Sequence, residues 1–234
     1  QELNIDDALA LVRVEANGTT VAGAPSVSTL EDWTVGTTST TSAAAQTLNY
    51  PNGRDVLNGH SALLQSVTVI LFHTASATAQ TPSFVSLVYG GVTCNVTMLQ
   101  MTTGADERQH TWGIGLVRWD VEGVPANDTI TLTMGAAQQS YTDISANTFD
   151  NVVSIGTPEV YDGSDATLEF TAMAHVPGGS VAIIGEWDNS KTKHAVPPAP
   201  WDSVTDRIER DLNAGLNSSH EIWQRNTTTL EANP

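Results

Sequence analysis

Six histidines, one cysteine and a scatter of carboxylates and indoles are the parts of this 234-residue chain that could do chemistry. The histidines are His60, His73, His110, His175, His194 and His220, and none follows another at i,i+2 or i,i+4. Such spacing would put two imidazoles on one face of a strand or helix, where they could share a metal. Each therefore reads as a hydrogen-bonded structural histidine. There is no Gly-x-Ser-x-Gly, no His-Glu-x-x-His, no phosphate-binding loop and no Cys-x-x-Cys. A Ser-His-Asp site assembled in space would leave no trace in residue order. On motifs alone the chain reads as a non-enzyme. Cys94 has no partner for an internal disulfide. It stands between Val92 and Val96 in an alternating run, the setting of a small buried hydrophobe.

Calcium is the one cofactor with local candidates. Hard cations take clustered carboxylates and carbonyls. Asp162 and Asp165, in Asp-Gly-Ser-Asp, form the best cluster, with Asp202, Asp206 and the Asp106-Glu107 pair behind it. Asp-Gly-Ser-Asp is also good hairpin chemistry, and a plain turn is the simpler reading. Six tryptophans outnumber the four tyrosines and the four phenylalanines. Exposed indoles serve as sugar platforms and interface anchors. Trp187 ends a strand-like run, Trp201 follows prolines and Trp33 lies in a polar stretch, which makes these three the candidate ligand or partner contacts. Trp112 and Trp119 stand seven apart, so on a single strand they face opposite sides and one belongs in the core. Five Asn-x-Ser/Thr sequons begin at Asn17, Asn95, Asn127, Asn217 and Asn226. Thr and Ser are abundant enough to generate such triplets by composition, though Asn95 falls on the wet face of its strand, where a glycan fits.

The elements that must position these residues are strands. Val92, Cys94, Val96 and Met98 alternate with Thr93, Asn95, Thr97 and Leu99, and Ile130, Leu132 and Met134 alternate with Thr129, Thr131 and Thr133. Period-two alternation marks a strand with one buried face. Strands are predicted over 9–15, 63–73, 84–89, 92–99, 112–120, 129–134, 151–155, 167–174, 180–187 and 219–225. Turn signals separate them, including Gly90-Gly91, Gly123-Val124-Pro125 and Pro177-Gly178-Gly179. The expected fold is an all-β antiparallel sandwich. One short helix is expected near 203–212, where Val204, Ile208 and Leu212 recur every fourth residue behind an Asp202 or Ser203 cap. The segment 36–46 is low-complexity, a long loop or an edge. Residues 1–60 read as an N-terminal strand or arm plus loop of the same sandwich, and 61–234 as its body.

The net charge of −17 arises from few bases, 9 Lys and Arg against 26 Asp and Glu. Such a surface repels phosphates, so nucleic acid and anionic membranes are poor partners. No apolar run approaches the length of a membrane span. A chain beginning at Gln1 rather than Met reads as processed, or as part of a longer product.

From about Leu63 onward an ordered set of motifs is present. It comprises Ser66-Val67-Thr68-Val69-Ile70-Leu71, then Val88-Tyr89-Gly90-Gly91-Val92, then Gly115-Leu116-Val117-Arg118-Trp119. Gly123-Val124-Pro125-Ala126-Asn127-Asp128-Thr129-Ile130-Thr131-Leu132 follows, and Pro197 to Trp201 closes the set. This set resembles the Tyr-Gly-Gly-containing jelly-roll-like domain of tailed-phage virion proteins and secreted bacterial surface proteins. The resemblance implies a jelly-roll-like sandwich of structural or adhesive role, with no catalytic residues to carry over. It implies a virion-surface decoration, fibre or spike subunit that contacts copies of itself and other assembly proteins. The alternative it leaves open is a secreted adhesion or carbohydrate-binding module that meets surface glycans.

Overall fold

The computed structural model describes residues 8–16, 28–29, 33–35, 43–51, 66–76, 83–103, 108–138, 141–150, 152–162, 180–188, 208–211 and 219–227. Twelve of the pairings among the described strands are antiparallel. In chain order the strands are β1 (Ala8–Ala16), β2 (Ser28–Thr29), β3 (Thr34–Val35), β4 (Ala43–Asn49), β5 (Val67–Ala75) and β6 (Phe84–Tyr89). They continue with β7 (Val92–Thr93), β8 (Asn95–Thr103), β9 (Arg108–Arg118), β10 (Thr129–Gln138) and β11 (Tyr141–Asp150). The last are β12 (Val152–Ile155), β13 (Glu159–Asp162), β14 (Ser180–Asp188), β15 (Ile208–Asp211) and β16 (Ser219–Thr227). A single turn of helix, α1 (Trp119–Glu122), follows β9.

Two compact units are present: 1–29 with 149–234, and 30–148. The first carries a sheet of order β12-β1-β14-β16-β15, with β13 also paired to β1. Its spine is long and regular, with eight consecutive pairs between β1 and β14 and nine between β14 and β16.

The second unit is a sandwich. One sheet has the order β4-β10-β6-β7, and the other runs β11-β5-β9-β8 with β3 on β11. The last residues of β11, Phe149 and Asp150, pair with β2. Connections from β4 through β6 switch sheets at every step, so both layers are built from strands distant in sequence. Between the layers lies a core that includes Leu48, Ile70, Phe72, Leu87, Tyr89, Val117, Trp119, Ile130, Leu132, Met134 and Ile144. The alternation read from the sequence explains it: Ile130, Leu132 and Met134 are at most 2 % exposed while Thr129, Thr131 and Thr133 are half-buried. The layers approach closely at Gly115, where a Cβ would lie 2.3 Å from Leu87 Cδ2. A larger residue there would have to displace the buried Leu87 side chain.

The all-β sandwich expected from the sequence is the observed architecture. The helix expected near 203–212 is corrected over its described part. Ile208–Asp211 forms β15 and pairs with β16, Ile208 opposite Ile222 and Asp211 opposite Ser219. Three apolar residues at helical spacing are a weak local preference, and a sheet edge offering backbone hydrogen bonds overrides it. The strand expected to run to residue 120 ends at Arg118, and α1 takes over. The run expected to be continuous over 92–99 breaks at Cys94, whose N–H donates to the Leu87 carbonyl at 2.9 Å. The low-complexity segment ends in an edge strand, β4. The strand expected over 167–174 lies outside the described residues.

Candidate functional site

Side chains on β5 and β9 alternate between the sandwich core and the opposite face of their sheet. Phe72 and Ile70 belong to the core, so His73 points the other way. The register sets His73 opposite Trp112 and Ala75 opposite His110. The result is a stack of three rings. His73 and Trp112 lie 5.0 Å apart at 15°, His110 and Trp112 5.3 Å apart at 15°, and the two imidazoles 5.3 Å apart at 23°. His73 Nε2 and His110 Nδ1 are 3.0 Å apart, within one hydrogen bond. That bond needs one nitrogen to accept, so at most one of the two rings is an imidazolium while it persists. His73 is 2 % exposed and Trp112 5 %.

On β11, Ile144 and Ala146 face the core, so the intervening Asp143, Ser145 and Asn147 share the sheet face of the histidine pair. All three are fully buried. Among the described residues, Ser145 Oγ, Asn147 Nδ2 and Trp112 Nε1 make no hydrogen bond. Ser145 is therefore not engaged by either histidine, and the serine–base contact that nucleophilic catalysis requires is not formed there. Among the described residues no group of three or more His, Cys, Asp or Glu is placed to hold a metal ion. What this face has is a hydrogen-bonded imidazole pair in ring contact with an indole.

A second constellation surrounds the Tyr-Gly-Gly turn. Gly90 and Gly91 adopt φ of 59° and 90°, the left-handed region that glycine reaches at least cost. A Cβ on Gly90 would lie 2.4 Å from Pro125 Cβ. The Gly90 N–H donates to the Thr129 carbonyl at 3.1 Å, and the Ala126 N–H donates to the Gly90 carbonyl at 2.8 Å. Two motifs thirty-odd residues apart in sequence are thus one hydrogen-bonded unit. Tyr89 is fully buried beneath it, edge-on to Trp119 at 5.3 Å and 5.6 Å from Tyr50. Beside the turn, Val121 and Val124 are 72 % and 49 % exposed.

The other sequence-chosen residues are dispersed. Trp33 is buried, 5 % exposed, a packing position rather than an open platform. Trp187 lies near the end of β14 opposite His220, and Trp201 is outside the described residues. Asp162 ends β13 opposite Ala8, and Asp165 is outside the described residues. Asn95 opens β8 and is exposed. Asn127 is exposed too, and its Oδ1 accepts from the Thr129 N–H at 3.0 Å. Asn226 pairs with Val181 in β16, while Asn17 and Asn217 are outside the described residues. Trp112 and Trp119 do face opposite sides, but both are buried rather than one. Cys94 is buried as expected, and loss of solvent pushes its thiol up to about 12, the Tyr89 backbone contact opposing this. The sequence reading missed the three-ring stack. Its only local trace was His110 and Trp112 at i,i+2, because His73 arrives from 37 residues away. No helix among the described residues is long and apolar enough to cross a membrane.

No protein-family model, no curated protein and no solved structure matches the chain.

Proposed function

We propose that this chain is a non-enzymatic structural protein, a surface-displayed decoration, fibre or spike subunit of a tailed-phage virion. The observation that supports this reading most is the joining of the Tyr89-Gly90-Gly91 turn to the 125–129 run. These are two of the motifs that carry the jelly-roll resemblance, and they meet through the Gly90–Thr129 and Gly90–Ala126 hydrogen bonds. Fold alone does not give function. The exposed Val121 and Val124 beside that unit supply the apolar surface that subunit contacts bury. The partners in this reading are other copies of the chain and neighbouring assembly proteins, and calcium is at most an accessory ligand at 162–165.

The test is location. Mass spectrometry and immunogold labelling of purified particles should find the chain on the particle surface. Its absence from particles, together with a monodisperse monomer in solution, would sink the proposal. Glycan-array binding that is lost in Trp187→Ala or Trp201→Ala would replace it with the secreted-module reading.

A further inference from the structure

We propose that the His73–His110 pair is an acid-sensitive latch. It closes one end of the β5–β9 ladder while either ring is neutral, and releases that end when both rings take a proton. The inference goes beyond the display reading and stands or falls without it.

The latch sits at an end of the ladder rather than its middle. Ala75 opposite His110 is the last pair of β5 with β9, and His73 opposite Trp112 lies two residues inside it. Just beyond, the Ser76 N–H donates to the Gln109 carbonyl at 2.9 Å, and the Gln109 N–H donates to Ser76 Oγ at 3.0 Å. The rings close this end through the 3.0 Å contact of His73 Nε2 with His110 Nδ1, stacked with Trp112. Separation of the rings therefore frays an end and leaves the centre of the sheet paired.

Proton counting makes the contact pH-dependent. Two neutral imidazoles carry two protons on four nitrogens, and two imidazoliums carry four. The N–H···N bond occupies one lone pair as acceptor, so the bonded pair carries three at most. This limit holds whatever else either ring touches. A further proton from solvent takes the acceptor lone pair, and two N–H groups then face each other. Free histidines both take a proton below their ordinary value of about 6.5. Well below that pH the open end therefore binds at least one proton more than the closed end. The closed form is favoured at neutral pH and loses ground as pH falls, by about tenfold per pH unit for each proton of difference.

Charged neighbours bias the pair without lifting the limit. On β11, Asp143 shares the sheet face of His73 and follows Thr142, whose hydroxyl bonds that of Thr74 at 2.8 Å. An ionised carboxylate so placed favours the first proton. On β9, Arg108 stands two residues before His110 and keeps its charge throughout the range. β8, the other neighbour of β9, carries no charged residue. These are the charged groups that the described strands beside the pair contribute.

The experiment uses the whole chain between about pH 7.5 and 5, above most carboxylate titration. Nitrogen-15 NMR of the imidazoles should show a coupling between His73 Nε2 and His110 Nδ1 at neutral pH that fades on acidification. Hydrogen exchange, corrected for its intrinsic pH dependence, should show the Ser76 and Gln109 amides losing protection by up to about tenfold per pH unit below 6.5. The Trp119 amide, bonded to the Ser66 carbonyl at the far end of the same ladder, should keep its protection. His110→Asn sets an amide oxygen near the position of Nδ1, an acceptor that does not compete for the His73 proton. In that variant the Ser76 and Gln109 amides should stay protected across the range. Asp143→Asn should retain the wild-type response. Absence of the coupling at neutral pH, or two imidazoliums with protection unchanged, overturns the inference on wild type alone, whether or not the variants fold. A response that His110→Asn leaves intact, or that Asp143→Asn abolishes, places the sensor elsewhere and also overturns it.

Discussion

The β11-β5-β9-β8 sheet has two buried faces built on different terms. On the face toward the sandwich core, buried hydroxyls are hydrogen-bonded, Thr74 to Thr142 at 2.8 Å and a longer chain beside them. Trp119 Nε1 donates to Thr68 Oγ1 at 2.7 Å, Thr68 Oγ1 bonds Thr148 Oγ1 at 2.8 Å, and Thr148 bonds the Tyr50 hydroxyl at 3.1 Å. On the opposite face, His73, Asp143, Ser145 and Asn147 are also buried, yet among the described residues Ser145 Oγ, Asn147 Nδ2 and Trp112 Nε1 make no hydrogen bond. A buried polar atom without a partner keeps its desolvation cost of about 1–3 kcal/mol. The two faces share one backbone, so the difference lies in side chains alone. Both faces bury polar groups among apolar ones, but one pairs its hydroxyls while the other carries unbonded polar atoms at a cost in stability.

Substitutions on the two faces should diverge accordingly. The largest loss is expected from Leu87→Ala, which empties a fully buried site against Gly115. Denaturant unfolding should show a loss of about 2–5 kcal/mol. Thr68→Val keeps the volume but strands the Trp119 indole N–H and one hydroxyl, and should cost about 1–3 kcal/mol. If Thr68→Val were neutral, the hydroxyl chain would not distinguish this face. Ser145→Ala, on the other face, removes a hydroxyl that has no bond to lose. It should leave the unfolding midpoint unchanged or raise stability by up to about 1 kcal/mol, and a clear loss would show that this face is closed as well.

The smallest effect concerns Cys94 and is read by pH. Burial raises its thiol from 9.0 to about 12. The folded chain therefore holds this proton more tightly than the unfolded chain. The contribution to stability is constant below the unfolded value, declines as pH rises past it, and is lost by the folded one. Ellman's reagent at mildly alkaline pH should label Cys94 only after unfolding. Labelling of the native chain would place the thiol outside the core.

Several elements were legible because one face of the strand is wet. Thr129 to Met134 is the clearest case, and Phe84–Tyr89 matched its expected ends. The 90–91 turn was legible because few residues other than glycine tolerate its backbone angles. Tyr141–Asp150 was missed because it is buried on both faces and filled with Thr, Asp, Ser and Asn, so neither alternation nor hydrophobicity marks it. β15 was misread because four residues carry too little local preference to outweigh a waiting partner strand. The candidate site fared similarly. Burial of Cys94 was readable from its neighbours, whereas the His73–His110 contact was not.

By itself, the sequence determined which short segments extend, where Gly90-Gly91 turns the chain, and that the surface is acidic. Each of these follows from a residue and its immediate neighbours. Only the tertiary structure decided which strands lie side by side, that His73 meets His110 and Trp112, and that both Trp112 and Trp119 are buried. Register and burial on a second face are set by partners far along the chain, and no local pattern encodes them.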